Sequence, residues 1–348
     1  MVANSSFVKQ RLWLKSEETM RVLIVGGAGF IGSVLAPVLL ARGHEVTVFD
    51  LFWFGDHLPK AVKKQKVNAG ALKAEDLKPF DAVIFLAGLS NDPMADTAPF
   101  SNYVFNAALP SYLAYIARQA GVKLFIHGGS CSVYGRTEER VREDSQPQTF
   151  SPYGVSKLIA ETGIIQQYCH EMRVVLFRMG TVCGPSPRMR YDLLLNAMVK
   201  DAIKKQTISV FDNMAERPIL DIDSACIAYA NALEDKKVVG IYNLLSFNLG
   251  VSFAADAVQK RVFAKTRTLP KIVYQGGTDI RSYSVNDGRA QRANLSFETL
   301  PTATIDKIID GVLASTADLE SSAYHNIKRF KELVATEFPV LSGTGCPA

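Results

Sequence analysis

The chain has 348 residues, 48% of them hydrophobic and 21% charged, which is enough to bury a large core and long enough to expect two domains. Its 39 basic and 34 acidic side chains are interspersed and leave a net charge of +5, a balance that argues against a nucleic-acid surface but suits an anionic substrate. The five cysteines, Cys131, Cys169, Cys183, Cys226 and Cys346, are odd in number and include no C-x-x-C pair. That pattern speaks against a disulfide framework and against a metal site, and for a reducing, cytoplasmic compartment. No apolar run approaches the roughly 18 to 20 residues of a membrane span.

Residues 1–19 carry Arg11, Lys15, Glu17 and Glu18 without a continuous apolar stretch, so they do not resemble a secretory signal. They read as an extension outside the fold, either a tail or a docking helix. From Met20 to Val25 a β-branched run ends at glycines, and an apolar segment of helical length follows from Ile31 to Ala41. Gly43 caps that helix, and His44 to Asp50 returns as a second buried strand. Pro37, inside the helix, conflicts with it locally.

The alternation continues through strands at Asp81–Ala87, Lys123–His127 and Arg173–Arg178, with helices expected from Phe100 to Ala120 and from Ser151 to Glu171. Alternating units of this length predict an α/β fold, a doubly wound parallel sheet covered by helices on both faces. Beyond Gly184 prolines punctuate shorter elements, which predicts a smaller α/β domain. The expected division is an extension at 1–19, a dinucleotide-binding domain at 20–182 and a substrate domain at 183–340, the last two allowed to interleave.

Gly26-Gly27-Ala28-Gly29-Phe30-Ile31-Gly32 lies between the first strand and the first helix. Such a turn lets backbone approach a pyrophosphate, and the helix N-terminus offers unpaired N–H groups to it. Asp50 ends the next strand, where a carboxylate accepts from ribose hydroxyls and repels a 2′-phosphate, so NAD is expected over NADP. Further on, Tyr153 and Lys157 stand one helical turn apart on one face. An ammonium beside a phenol favours the phenolate, the base of a hydride-transfer reaction.

The segments GGAGFIG, VTVFD, IFLAG, FIHGGSCSVYG and SPYGVSK, in this order, resemble the extended short-chain dehydrogenases, the nucleotide-sugar epimerase and dehydratase family. The resemblance covers residues 20–330, strongly in the first half. It implies a catalytic triad of Ser130, Tyr153 and Lys157. It also implies NAD contacts at Gly26, Gly29, Phe30, Ile31, Gly32, Asp50, Leu86, Ala87, Gly88 and Asn106, beside Tyr153 and Lys157. On the substrate side it implies Ser90, Asn91 and Ser130, with Asn196, Arg217 and Arg281 at the diphosphate; Arg188 and Arg190 are further candidates for holding the nucleotide. Guanidinium suits that role because it binds phosphate bidentately.

Departures narrow the chemistry. Cys131 and Ser132 stand where dehydratases and decarboxylases of the family carry carboxylates, which disfavours proton removal from carbon and leaves 4-epimerisation or 4-keto reduction, with Cys131 read as a buried inert thiol. Ala71 replaces an adenine-contacting aspartate, and Ser90-Asn91-Asp92 replaces the usual sugar-facing loop. Other readings stay open: a dehydratase or decarboxylase, a dehydrogenase of a small alcohol, and a non-catalytic NAD-binding regulator. The family likeness also implies a homodimer, with Tyr112, Leu113, Ile116, Ile164 and Ile165 as apolar residues beyond those needed to cover the sheet.

Overall fold

A computed structural model describes residues 15–277 and 282–337. Its centre is a seven-stranded sheet in the order β10-β6-β5-β4-β1-β2-β3, with every pairing parallel. The strands are β1 (Arg21–Val25), β2 (Glu45–Asp50), β3 (Lys63–Lys66), β4 (Ala82–Phe85), β5 (Leu124–Ser130), β6 (Arg173–Met179) and β10 (Gly240–Leu244). β1 lies between β2 and β4, so successive connections leave it in opposite directions, and a crevice opens beyond the carboxyl ends of β1 and β4. Near-continuous apolar runs such as AVIF in β4 are fully buried because helices cover both faces.

Helix α1 (Gly32–Ala41) follows the glycine turn and buries Leu35, Ala36, Val38 and Leu39 despite Pro37, which has no N–H to give the Ser33 carbonyl. Gly43, at φ +95°, ends it, with Gly43 N–H donating to the Leu40 carbonyl. The helix expected from Phe100 to Ala120 is instead Pro99–Tyr103, a π-turn at Val104–Ala108 and α2 (Leu109–Gln119). Pro110 cannot donate to the Asn106 carbonyl, and the helix widens just before it. α3 (Pro152–Ile165), N-capped by Ser151, stops short of the expected Glu171.

Leu113, Ile116 and Ile164 were expected on an outer face, but all three are buried against the sheet. Tyr112 and Ile165 are exposed, as are Tyr115, Ile159 and Tyr168 on the same two helices and the turn after α3. The 3.6-residue period sorts these positions by face, which a count of apolar residues does not.

The second half packs onto the first. β7 (Thr181–Cys183), β9 (Glu216–Asp221) and β11 (Phe247–Gly250) form one small sheet, and β8 (Thr207–Val210) pairs with β12 (Lys271–Tyr274). Helices α4 (Leu194–Lys204), α5 (Ile222–Glu234), α6 (Val251–Thr266) and α7 (Pro301–Ala314) share one continuous core with β1, β4, β5, β6 and α1. α5 covers α1, where Arg42 donates to Asn231 Oδ1 at 3.1 Å and to Glu234 Oε2 at 2.9 Å. β10 returns from this half to the main sheet, so one strand of the seven comes from beyond residue 182. The described residues end in α8 (Asn326–Glu337). Residue 16 of the N-terminal extension bonds the Arg42 carbonyl, while residues 1–14 lie outside the described residues.

One buried ion pair fastens α3 to β6. Arg178 donates to Glu161 at 2.8 to 3.1 Å, to the Tyr134 hydroxyl at 2.9 Å and to the Glu143 carbonyl, while Tyr134 donates to Asn243 on β10. Removing one charge leaves the other buried and uncompensated, a change that typically costs about 3–5 kcal/mol. Glu161→Gln is therefore expected to lower unfolding free energy by that amount in urea titration, and a loss under 1 kcal/mol would contradict the pairing.

Candidate active site

A cleft of about 610 Å³ runs along the carboxyl ends of the main sheet and is roofed by the second half of the chain. One wall is the glycine turn. Gly26 takes φ +83°, and a Cβ there would fall 2.4 Å from the Ala87 nitrogen; at Gly32 it would fall 2.5 Å from the Gly27 Cα. Only glycines let the turn lie flat against the end of β4. Gly26, Gly29, Phe30, Ile31 and Gly32 all line the cleft, as do Leu86, Ala87, Gly88 and Asn106 across from them.

The fit to a dinucleotide rests on two further observations. Asp50 stands at the cleft with its carboxylate oriented by Ala28 N–H at 2.9 Å and Phe52 N–H at 2.8 Å, and burial raises its pKa. Asn106, fully buried on the π-turn, donates to the Leu89 carbonyl and to Asn102, while its Oδ1 has no hydrogen-bond partner among the described residues. Both groups hold acceptor capacity toward the cleft. Asn68 and Ala69 line it as well, whereas Ala71 does not.

At the other end, the sequence-predicted triad comes together. Tyr153 is buried at the start of α3, with the Ser130 side chain and the Asn91 backbone close enough to its phenol to favour the ionised form. Burial pushes the phenol up to about 12; Asp92 adds to that rise, and Arg190, Ser130 and Asn91 oppose it. Lys157 lies 5.7 Å from the Tyr153 ring centroid and donates to the Gly128 carbonyl at 3.3 Å. Burial brings its ammonium down to about 8, while Glu161, one turn on, supports it. Among the charges around the phenol, Arg190 opposes the rise caused by burial and Asp92.

The substrate-side candidates separate. Ser90, Asn91 and Arg217 line the cleft. The Asn91 side chain, however, is spent on capping the next helix by accepting from Met94 N–H at 3.0 Å, so Asn91 reaches Tyr153 through its backbone. Asn196 does not face the cleft. Its amide accepts from Gly184 N–H at 3.1 Å and donates to the Arg190 carbonyl at 2.9 Å, which holds the loop that presents Arg188 and Arg190. Arg281 lies outside the described residues.

Arg190 donates to Ser90 Oγ at 2.6 Å and forms a bidentate pair with Asp192. Cys131 is fully buried, bonded to the Arg178 carbonyl, with its thiol pushed far up by burial. Sequence reasoning missed Tyr283, which lines the cleft, and Asn326, which comes from a helix far along the chain. No local motif marks either.

Residues 22–245 match the NAD-dependent epimerase/dehydratase family, and the chain belongs to it. It is an NAD-dependent enzyme of the extended short-chain dehydrogenase type. UDP-glucose 4-epimerase 3 of rice (Oryza sativa subsp. japonica) is 34% identical over 179 residues, which cover 45% of this chain and 48% of that protein, about half its length. Among solved structures, MoeE5 in complex with UDP-glucuronic acid and NAD superposes with a TM-score of 0.75 at 24% identity, covering 84% of this chain and 99% of that one. TunA, an NAD-dependent NDP-hexosamine 5,6-dehydratase of tunicamycin biosynthesis, gives 0.76 at 23% identity, covering 87% and 100%. These two structural likenesses show the fold. No described helix is long and apolar enough to cross a membrane.

If Asp50 holds the adenosine ribose, the protein is expected to bind NAD more tightly than NADP in calorimetric titration, and Asp50→Ala to weaken NAD and narrow that difference. Tighter binding of NADP by the parent protein would overturn the assignment.

Proposed function

We propose that this chain transfers hydride at C4 of a nucleotide-linked sugar, as a 4-epimerase or a 4-ketoreductase. The observation that carries the reading is that Tyr153, Ser130 and Lys157 line one cleft together, with Lys157 5.7 Å from the Tyr153 ring centroid and the Ser130 side chain and Asn91 backbone close enough to the phenol to lower its pKa. NAD, when bound, would supply the hydride acceptor. The glycine turn, Asp50 and Asn106 would hold it.

Tyr153 then takes the proton of the sugar 4-hydroxyl in the oxidative direction and returns a proton to the 4-oxygen in the reductive one. Ser130 steadies the reacting oxygen. Lys157 keeps its ammonium at neutral pH and loses it as the pH rises past about 8, so it favours the phenolate only below that range. Arg217, buried at the cleft, is assigned to the substrate diphosphate, and Ser90 with Arg190 to the sugar side. Residues up to 182 together with β10 would form the cofactor domain, and the remaining described residues the lid over the sugar.

Cys131 and Ser132 offer no carboxylate, which disfavours elimination. The TunA fold is the reason to keep a dehydratase as the second reading. The exposed Tyr112, Tyr115, Ile159 and Ile165 on the adjacent helices α2 and α3 favour a homodimer through these faces, in a cytoplasmic setting. A concentration-independent monomer mass in solution would count against the dimer.

Tyr153→Phe removes only a hydroxyl and is expected to leave thermal unfolding unchanged while lowering turnover of its nucleotide-sugar by about 100- to 10,000-fold. Lys157→Ala is expected to match that loss and also weaken NAD, and Ser130→Ala to be milder because it removes one hydrogen bond. The measurement is turnover across a panel of UDP-sugars and their 4-keto forms with NADH. Near-normal turnover by folded Tyr153→Phe would sink the mechanism.

A further inference from the structure

The glycine turn offers backbone N–H groups to a pyrophosphate but no charge, since Gly26 to Ser33 contains no basic side chain. The segment 186–190 is bolted directly onto that turn. Ser186 Oγ donates to the Phe30 carbonyl at 2.7 Å and lies 2.9 Å from Ser33 Oγ. Two residues on, Arg188 is 2% exposed yet belongs to the cleft lining.

Its guanidinium stacks over the Phe54 ring at 3.6 Å, and its Nη2 donates to Asn326 Oδ1 at 2.5 Å. Its Nε has no hydrogen-bond partner among the described residues. Burial, followed by the charge of Arg190, brings Arg188 down to about 9. The carboxylates whose fields reach it are Asp192, already bidentate to Arg190, and Asp50, oriented by two backbone N–H groups. A buried cation so placed, beside a second cation and facing a phosphate cradle, calls for an anionic ligand.

We propose that Arg188 is a ligand of the dinucleotide pyrophosphate, and that Asn326, from a helix beyond the family match, positions it there. The helix is well anchored for the task. Asn326 also donates to Ser90 Oγ at 3.0 Å, so one amide joins the cofactor wall to the sugar-side loop. Arg329 donates to the Trp53 carbonyl at 2.6 Å, and Phe330 packs on Trp53, Leu89 and Met94. The inference needs the cofactor alone and stands whatever the sugar is.

Calorimetric titration of the full chain with NAD, ADP-ribose and adenosine tests it, with thermal unfolding as the folding check. Arg188→Met is expected to weaken NAD and ADP-ribose by about 10- to 100-fold and to leave adenosine within about twofold. Asn326→Ala should weaken both by about 3- to 10-fold, and the double variant should bind no worse than Arg188→Met alone, because Asn326 acts through Arg188. If Arg188→Met does not fold, Arg188→Lys, which keeps a charge but loses the fork, should still weaken ADP-ribose by about 3-fold or more. Parent-like NAD binding by either Arg188 variant overturns the proposal. A loss confined to NADP overturns it in favour of a 2′-phosphate contact, and full additivity in the double variant overturns the role of Asn326.

Discussion

The site depends on one close approach, that of the glycine turn to the end of β4. A single Cβ at Gly26 would overlap the Ala87 backbone, 2.4 Å from its nitrogen, and one at Gly32 would strike Gly27. Because neither side chain exists, the turn stays low, α1 points its N-terminus at the crevice, and Asp50 at the end of β2 comes within hydrogen bonding of Ala28. The crevice lies where the strand order reverses, so the sheet topology and the glycine turn open the same space.

Around that space the chain spends its buried charge unevenly. Behind the reacting end, Glu161 and Arg178 neutralise each other in a fully bonded pair that also braces Tyr134 and β10. Lys157 sits one helical turn before Glu161, so the same carboxylate that fastens α3 to β6 also supports the Lys157 ammonium. In front, Arg190 is paired with Asp192 and carries Ser90, while Arg188 is left with an amide and an aromatic face. A phenol pushed up by burial is a poor base by itself. Arg190, with Ser130 and the Asn91 backbone, opposes that rise.

Much of this was legible in the sequence because local physics writes it there. The strand, glycine turn and helix from Arg21 to Ala41, the strand-end Asp50, and the Tyr153 and Lys157 pair all follow from spacing, and each lies where spacing puts it. The misplaced features depend on contacts distant in sequence. Asn196 has the composition of a phosphate ligand, but its amide is consumed by Gly184 and Arg190, which only the folded loop reveals. Leu113, Ile116 and Ile164 are apolar like their exposed neighbours, and only the face decides that they are core. Asn326 enters from a helix 236 residues after Ser90, with no motif to announce it.

The proposed chemistry moves hydride at C4 and exchanges no carbon-bound proton, a reading supported by Tyr153 in the cleft lining and by the absence of a carboxylate at Cys131 and Ser132. Turnover of a UDP-sugar in deuterated water, with the product read by mass spectrometry and NMR, tests that most directly. The account predicts product with no solvent deuterium on any ring carbon. Deuterium at C3, C5 or C6 would contradict it and identify a proton abstraction that Tyr153, Ser130 and Lys157 do not provide.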